Sequence, residues 1–208
     1  QYFIWNDDRS GNYMAARLLE AAERGVRVRL LLDDFHAVGS DAILPALNAH
    51  PNIEIRAYNP FPKRKGAGRW MALLADFKRL NRRMHNKSLV VDGAAAIIGG
   101  RNIGDEYFDL SEDMAFLDRE LLVAGPVVVE IGQGFDAYWN SEWSYPLESL
   151  IEQPPSTDDM KALSDLLRAR DQPGIAVPED LDQAYTLIRS AANGFIHAPA
   201  ELVVDRVP

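Results

Sequence analysis

No cysteine occurs among the 208 residues of the chain, which excludes a disulfide scaffold, a thiolate zinc site and a cysteine nucleophile. Nor is there an apolar run of the ~18 residues that a bilayer-spanning helix needs. Neither a Met nor a charged leader precedes the strand-like run beginning at Gln1, so no signal peptide is legible and the chain is expected to be part of a longer protein. Histidine is scarce: His36, His50, His85 and His197 are all there is to supply imidazole chemistry. The length allows one good-sized α/β domain, or a domain with an appendage, at roughly 100 to 200 residues per domain.

Basic charge is thin only in the second part of the chain. The formal net charge is −9, yet residues 1–108 hold sixteen basic and twelve acidic side chains, whereas 109–208 hold six and nineteen. Between Arg56 and Lys87 lie ten basic residues, including Lys63, Arg64, Lys65, Arg69, Lys78, Arg79, Arg82 and Arg83, against the single acid Asp76. A local field of that kind draws phosphates and anionic surfaces whatever the total charge. Taken alone the run would read as a solvated helix face beside a basic loop, but the residues that follow it argue for a site.

Strands and helices alternate along the first 150 residues. Tyr2 to Trp5 reads as a short aromatic strand. Gly11 to Arg24 reads as a helix with Met14, Leu18, Ala21 and Ala22 on one face, stopped by Gly25, and Val26 to Asp33 as a strand entering a covered sheet. A helix over Asp41 to His50, a strand over Ile53 to Tyr58, a basic loop over Pro60 to Gly68 and a short helix over Met71 to Leu80 are predicted next. Lys87 to Val91 and Ala95 to Ile98 form a predicted hairpin about Asp92-Gly93. Arg119 to Ala124 is a further strand, and Val127 to Trp143 an amphipathic helix with Val128, Ile131, Phe135, Tyr138 and Trp139 inward. The fold class this implies is α/β, a mixed β-sheet flanked by helices on both faces. After Glu152 come a linker (Gln153 to Asp159), two acidic helices (Met160 to Arg170 and Asp180 to Asn193) and a strand over Glu201 to Asp205. Residues 1–150 are expected to form one half-domain, and 151–208 a helical connector with the opening strand of a second half.

The chemistry gathers at His85. The sequence runs His85-Asn86-Lys87-Ser88, reaches Asp92 after four intervening residues, and continues to Gly99-Gly100-Arg101-Asn102. Two residues apart on a strand, His85 and Lys87 share a face and can converge on one small anion. A neutral imidazole can attack phosphorus, while an ammonium and a side-chain amide such as Asn102 stabilise charge on the non-bridging oxygens. Glycines before Asn102 let backbone approach a ligand closely.

This eighteen-residue pattern resembles the HKD motif of the phospholipase D superfamily. The flanks Gln1 to Asp8, Gly99 to Phe108 and Asp118 to Pro126 are similar to the first half of bacterial cardiolipin synthases, especially the C type. The resemblance implies a phospholipase D-like α/β/α sandwich over residues 1–150 and phosphatidyl transfer through a phosphohistidine, without metal or other cofactor. It makes His85 the nucleophile or the general acid, and gives Lys87 and Asn102 the phosphoryl oxygens. Asp92, Gly99 and Gly100 become structural members of the motif. Asp118 orients the imidazole, with Asp113 and Glu120 close enough in sequence to exchange that role. Arg82 and Arg83 are expected to bind substrate.

Such a site takes two HxK elements and only His85 has a lysine two residues on. The second is expected either in a further half of the parent chain or in a second copy. The implied partners are phospholipids (phosphatidylglycerol, with phosphatidylethanolamine as a possible second), the other HKD half and a membrane surface at the inner, cytoplasmic membrane, the fragment itself being soluble. Alternatives are a phospholipase D-type phosphodiesterase or nuclease, for which the basic stretch would track a phosphate backbone, and a non-catalytic docking half. Three smaller questions stay open in the sequence: whether Asp105 and Glu106 cap a helix or meet a headgroup, whether Asp33-Asp34 with His36 forms a metal cluster or, as its place at a strand end favours, a loop facing the site, and whether Trp5, Phe35, Tyr58, Phe61 and Trp70 are core or line a lipid path.

Overall fold

The structure, a computed structural model, describes residues 1–34, 43–61, 82–151, 154–168, 181–204 and 207. The basic loop, the helix expected over Met71 to Leu80, His36, Phe35 and Trp70 lie outside the described residues.

Helix α1 spans Arg9–Glu23. Asp8 caps it by accepting from Gly11 N at 3.0 Å, satisfying one of the amides that every helix start leaves without a partner. Strand β1 (Val28–Asp33), helix α2 (Ile43–Asn48) and strand β2 (Ile53–Tyr58) follow. β1 and β2 pair in parallel from Val28↔Ile53 to Asp33↔Tyr58. A short strand that the sequence pattern did not announce, β6 (Ser144–Pro146), pairs antiparallel with β2; a three-residue edge ending in proline carries too little alternation to be read. The second sheet is antiparallel, with β3 (Ser88–Val91) paired to β4 (Ala95–Gly99) and β4 to β5 (Glu120–Ala124).

The amino-terminal residues stitch the two sheets together. Tyr2 exchanges backbone hydrogen bonds with Leu31 and Asp33 of β1, Gln1 O accepts from Ser88 N of β3 at 2.9 Å, and Ile4 and Asn6 bond Ile103 just after β4. The segment expected as a strand over Tyr2 to Trp5 is thus present as isolated bridges rather than a ladder.

Alternation along β1 sends its side chains to two cores. Leu30 and Leu32 join Leu19, Leu44, Leu47, Ile53, Ile55 and Trp5 under α1 and α2. Leu31 joins Tyr58, Met84, Phe135, Tyr138 and Trp139 on the opposite face, beneath helix α3 (Val127–Trp139). α3 also covers the second sheet through Val128 and Ile131 over Ala96. Helices therefore lie on both faces, as the βα alternation implied. Trp5, Tyr58 and Phe61 are core residues, each at most 3% exposed.

The acidic helices are α4 (Thr157–Arg168) and α5 (Leu181–Asn193). α4 packs against α1 and α2 and buries Leu163 in their core. Among its described side chains α5 is exposed along its length. Residues 201–204 form no regular element, in place of the strand expected there; Leu202 packs onto the core beneath α3.

Candidate active site

The pieces of the motif meet at one end of the antiparallel sheet. His85 and Lys87 lead into β3, Gly99 and Gly100 leave β4, and Asp118 precedes β5. Asp92 is elsewhere: it occupies the β3–β4 turn with φ +52°, followed by Gly93 at +64°. Consecutive positive φ values define the hairpin turn that Asp-Gly favours. At about 3.3 Å per residue the turn lies on the order of 15 Å from Lys87, so Asp92 shapes the hairpin and does not reach the phosphoryl site.

A buried polar brace holds the His85 segment. Asp33, at the carboxyl end of β1, pairs with Arg83 Nη1 at 3.1 Å and accepts from Met84 N at 3.0 Å. Arg83 Nη1 also donates to Asn59 O at 3.1 Å, and Asn59 Nδ2 donates to Arg82 O at 2.7 Å. Asn59 takes φ +48°, a conformation asparagine adopts more readily than most residues. Asp34 accepts from Phe61 N at 2.9 Å, and Met84 between the braces is fully buried. Arg83, expected to face substrate, thus has its guanidinium in the fold; Arg82 is exposed. The pair Asp33-Asp34 is structural, a role its bare sequence did not reveal.

Beyond Met84 the chain surfaces and His85 is exposed. Its ring lies against Phe3, centroids 4.8 Å apart, and Lys87 Nζ sits 5.4 Å from the same aromatic centroid. Lys87 Nζ is 2.9 Å from His85 Nδ1 and donates to His85 O at 2.7 Å. The imidazole and the ammonium therefore converge, as the two-residue spacing predicts. Lys87 is only 8% exposed; burial pushes its pKa down to about 8, with the Asp118 carboxylate pulling the other way. An ammonium so poorly solvated is poised to accept an anionic partner in place of water. Phe3 was not anticipated. Its only sequence signal is its place in an aromatic-rich run, and only the stitching of residues 1–6 between the sheets brings it to His85.

Asn102 and Asp118 complete the cluster in different ways. Asn102 is 4% exposed, accepts from Ile4 N at 3.0 Å and donates to the Tyr107 hydroxyl at 3.1 Å. Its amide fixes the amino-terminal segment beside His85. Asp118 lies near enough to Lys87 to act on its charge, and its carboxylate rests on Gly100, where any Cβ would overlap Asp118 Oδ1. Gly99 has the same constraint from the Arg119 carbonyl. These two glycines are therefore close-approach residues. Glu120 pairs with Arg101 at 3.2 Å; burial raises its pKa against the pull of Arg101. Asp105 receives Ser10 N at 2.9 Å and Arg9 Nε at 3.0 Å, and these bonds overcome its burial to hold its carboxyl below the ordinary range. Glu106 accepts from Asn6 Nδ2 at 3.0 Å. Both acids tie the start of α1 to the Gly-rich turn.

A cavity of about 240 Å³ opens beside the strand that bears His85 and Lys87. No helix among the described residues is long and apolar enough to cross a membrane.

Residues 1–139 match the family model described as cardiolipin synthase, PLD-like domain. The chain is 49% identical to cardiolipin synthase C of Escherichia coli (strain K12) over 154 residues, covering 74% of this chain and 32% of that protein. An uncharacterized protein of Helicobacter pylori (strain J99) is 40% identical over 80% of this chain and 33% of its own length. Cardiolipin synthase A of Pseudomonas syringae pv. syringae is 33% identical over 74% of this chain and 31% of that protein. The chain spans about a third of the length of these curated relatives.

Proposed function

The chain belongs to the cardiolipin synthase, PLD-like domain family, and from that premise we propose that it carries one of the two HKD elements of a phosphatidyltransferase that makes cardiolipin. The observation that carries the reading is the convergence of the His85 imidazole and the buried Lys87 ammonium, 2.9 Å apart, at a sheet end where Gly100 admits Asp118.

In the proposed reaction a ring nitrogen lone pair of His85 attacks phosphorus and the P–O bond to the departing glycerol breaks. The leaving oxygen takes its proton from the histidine of the second HKD element. The hydroxyl of an acceptor lipid then attacks the phosphohistidine, its proton returns to that second histidine, and His85 is released. Where the second histidine supplies the nucleophile, the two roles interchange. Lys87 neutralises charge on the non-bridging oxygens. Asn102 supplies the amide hydrogen that Tyr107 leaves over, and Asp118 stabilises the imidazolium as carboxylate–histidine pairs do. Arg82, exposed beside the strand, meets the headgroup phosphate, while Arg83 positions the strand through Asp33. Residues 1–150 act as the catalytic half and 151–208 as the connector to the second. Phosphatidylglycerol is the proposed donor, phosphatidylglycerol or phosphatidylethanolamine its co-substrate, and the cytoplasmic membrane surface the place of work.

The test is mass spectrometry of products from vesicles of phosphatidylglycerol and phosphatidylethanolamine. The vesicles are incubated with the chain joined to its second HKD half, as wild type and as His85→Ala. Cardiolipin in the first and none in the second supports the reading. Phosphatidic acid alone makes the enzyme a phosphodiesterase, and untouched lipid overturns the proposal.

A further inference from the structure

Phe3 stands where the amino-terminal segment passes between the sheets, and its neighbours in the chain are tied down on both sides. Tyr2 N donates to Leu31 O at 3.0 Å and Tyr2 O accepts from Asp33 N at 3.2 Å, both in β1. Ile4 N donates to Asn102 Oδ1 at 3.0 Å and Ile4 O accepts from Ile103 N at 3.2 Å, just after β4. These four hydrogen bonds fix where the ring can lie. The half-buried ring flanks the His85 imidazole, centroids 4.8 Å apart, and carries Lys87 Nζ over it, 5.4 Å from the centroid. An ammonium within about 6 Å of an aromatic centroid is attracted by the negative face of the ring. The kind of side chain matters because Lys87 is buried. A poorly hydrated ammonium reverts to the amine unless something replaces its water. A carboxylate in place of Phe3 would do so, but it would also neutralise the charge that an anionic ligand has to meet. An aromatic face has no net charge, so it steadies the cation and leaves that charge for the ligand.

We propose that Phe3 is a positioning residue of the phosphoryl site, keeping Lys87 in its ammonium form and seated beside His85, a role that rests on the phosphatidyltransferase reading above. It acts through Lys87 and not on the substrate. Asn102 belongs to the same chain of cause, because its Oδ1 fixes Ile4 and with it the ring. Among the described residues, the other charged or titratable groups about Lys87 are His85 beside it, Asp118 ahead of β5, Glu120 in its pair with Arg101, and the Gln1 amino group on Ser88 O. A substitution at Phe3 leaves all of them in place.

The experiment measures binding of tungstate to the chain, an oxyanion whose charge stays constant between about pH 7 and 10. The unaltered chain is compared with Phe3→Leu and with chains carrying mono-, di- and trifluorophenylalanine at position 3. Fluorination keeps the ring's shape while draining its negative face, so these chains fold whatever becomes of Phe3→Leu. A cation–π contact of about 1 kcal/mol corresponds to a shift of roughly 0.7 pH unit in the loss of the ammonium. At pH 9, above the Lys87 pKa of about 8, tungstate affinity is expected to fall stepwise with fluorination, reaching about fivefold in the trifluoro chain and in Phe3→Leu. At pH 7, where the ammonium persists without help, the loss stays under about twofold. An affinity at pH 9 that fluorination does not move, or an equal loss at both pH values, makes Phe3 a packing residue and overturns the proposal. In either case tungstate binding that Lys87→Met abolishes leaves the phosphoryl site standing. Failure of the unaltered chain to bind tungstate at pH 7 overturns both readings.

Discussion

Replacing Arg83 with Met tests whether the brace under His85 is a buried ion pair in energetic fact. Asp33 has no exposed side-chain surface and Arg83 has 12%, so the pair belongs to the interior. The substitution removes the guanidinium that lies 4.7 Å from the Phe61 ring and takes from the buried Asp33 carboxylate the cation 3.1 Å away. Breaking a buried pair from one side costs about 3–5 kcal/mol. The lost charged hydrogen bond to Asn59 O is part of the same penalty and adds at most about 1–2 kcal/mol. With about 2–4 °C per kcal/mol for a chain of this size, Arg83→Met should lower Tm by roughly 10 °C. Scanning calorimetry reads this directly. Replacing both, Asp33→Asn with Arg83→Met, should recover much of the loss, because the amide oxygen can still accept from Met84 N and neither charge of this pair then remains inside. A single-substitution loss under about 1 kcal/mol, the worth of a surface pair, would refute the reasoning.

The remaining expectations address the site itself. Lys87 has a folded pKa of about 8 against 10.5 ordinarily, so between those values the unfolded chain binds the extra proton. This group therefore makes the fold more stable as pH rises through that window. Lys87→Met should flatten that rise and add up to about 3 kcal/mol near pH 7, while abolishing binding of inorganic phosphate analogues; urea titrations at pH 7 and 10 would show the sign. In the unaltered chain, binding of vanadate should weaken above about pH 8 as the ammonium is lost. Gly100→Ala forces Asp118 off its seat and should lower turnover of the assembled enzyme at least about tenfold with little change in Tm. At the hairpin, Asp92→Asn should be nearly neutral and Asp92→Val should cost about 1–3 kcal/mol in chemical denaturation, because a β-branched residue resists φ +52°.

The local signals in this chain concern spacing and alternation. The strand over Ile53 to Tyr58, the Asp92-Gly93 turn and the apolar face of α3 could all be read because period 2, period 3.6 and a positive-φ dipeptide are properties of neighbouring residues. The same holds for the convergence of His85 and Lys87, since two residues along an extended chain return to one face. Gly99 and Gly100 could be read as close-approach glycines, but what they approach, Arg119 O and Asp118, is eighteen or more residues away.

The tertiary structure decided what each polar group is for. Arg83 and Arg82 are adjacent and look alike in sequence, yet one is ion-paired inside and the other faces solvent. That difference depends on where β1 ends and places Asp33, fifty residues earlier. Asn102 is both a motif residue and the clasp of Ile4 because the first residues lie between the sheets. Phe3 reaches His85 by the same route. Periodicity along a chain fixes which face a side chain takes; its partner depends on contacts between residues distant in sequence, which no local pattern encodes.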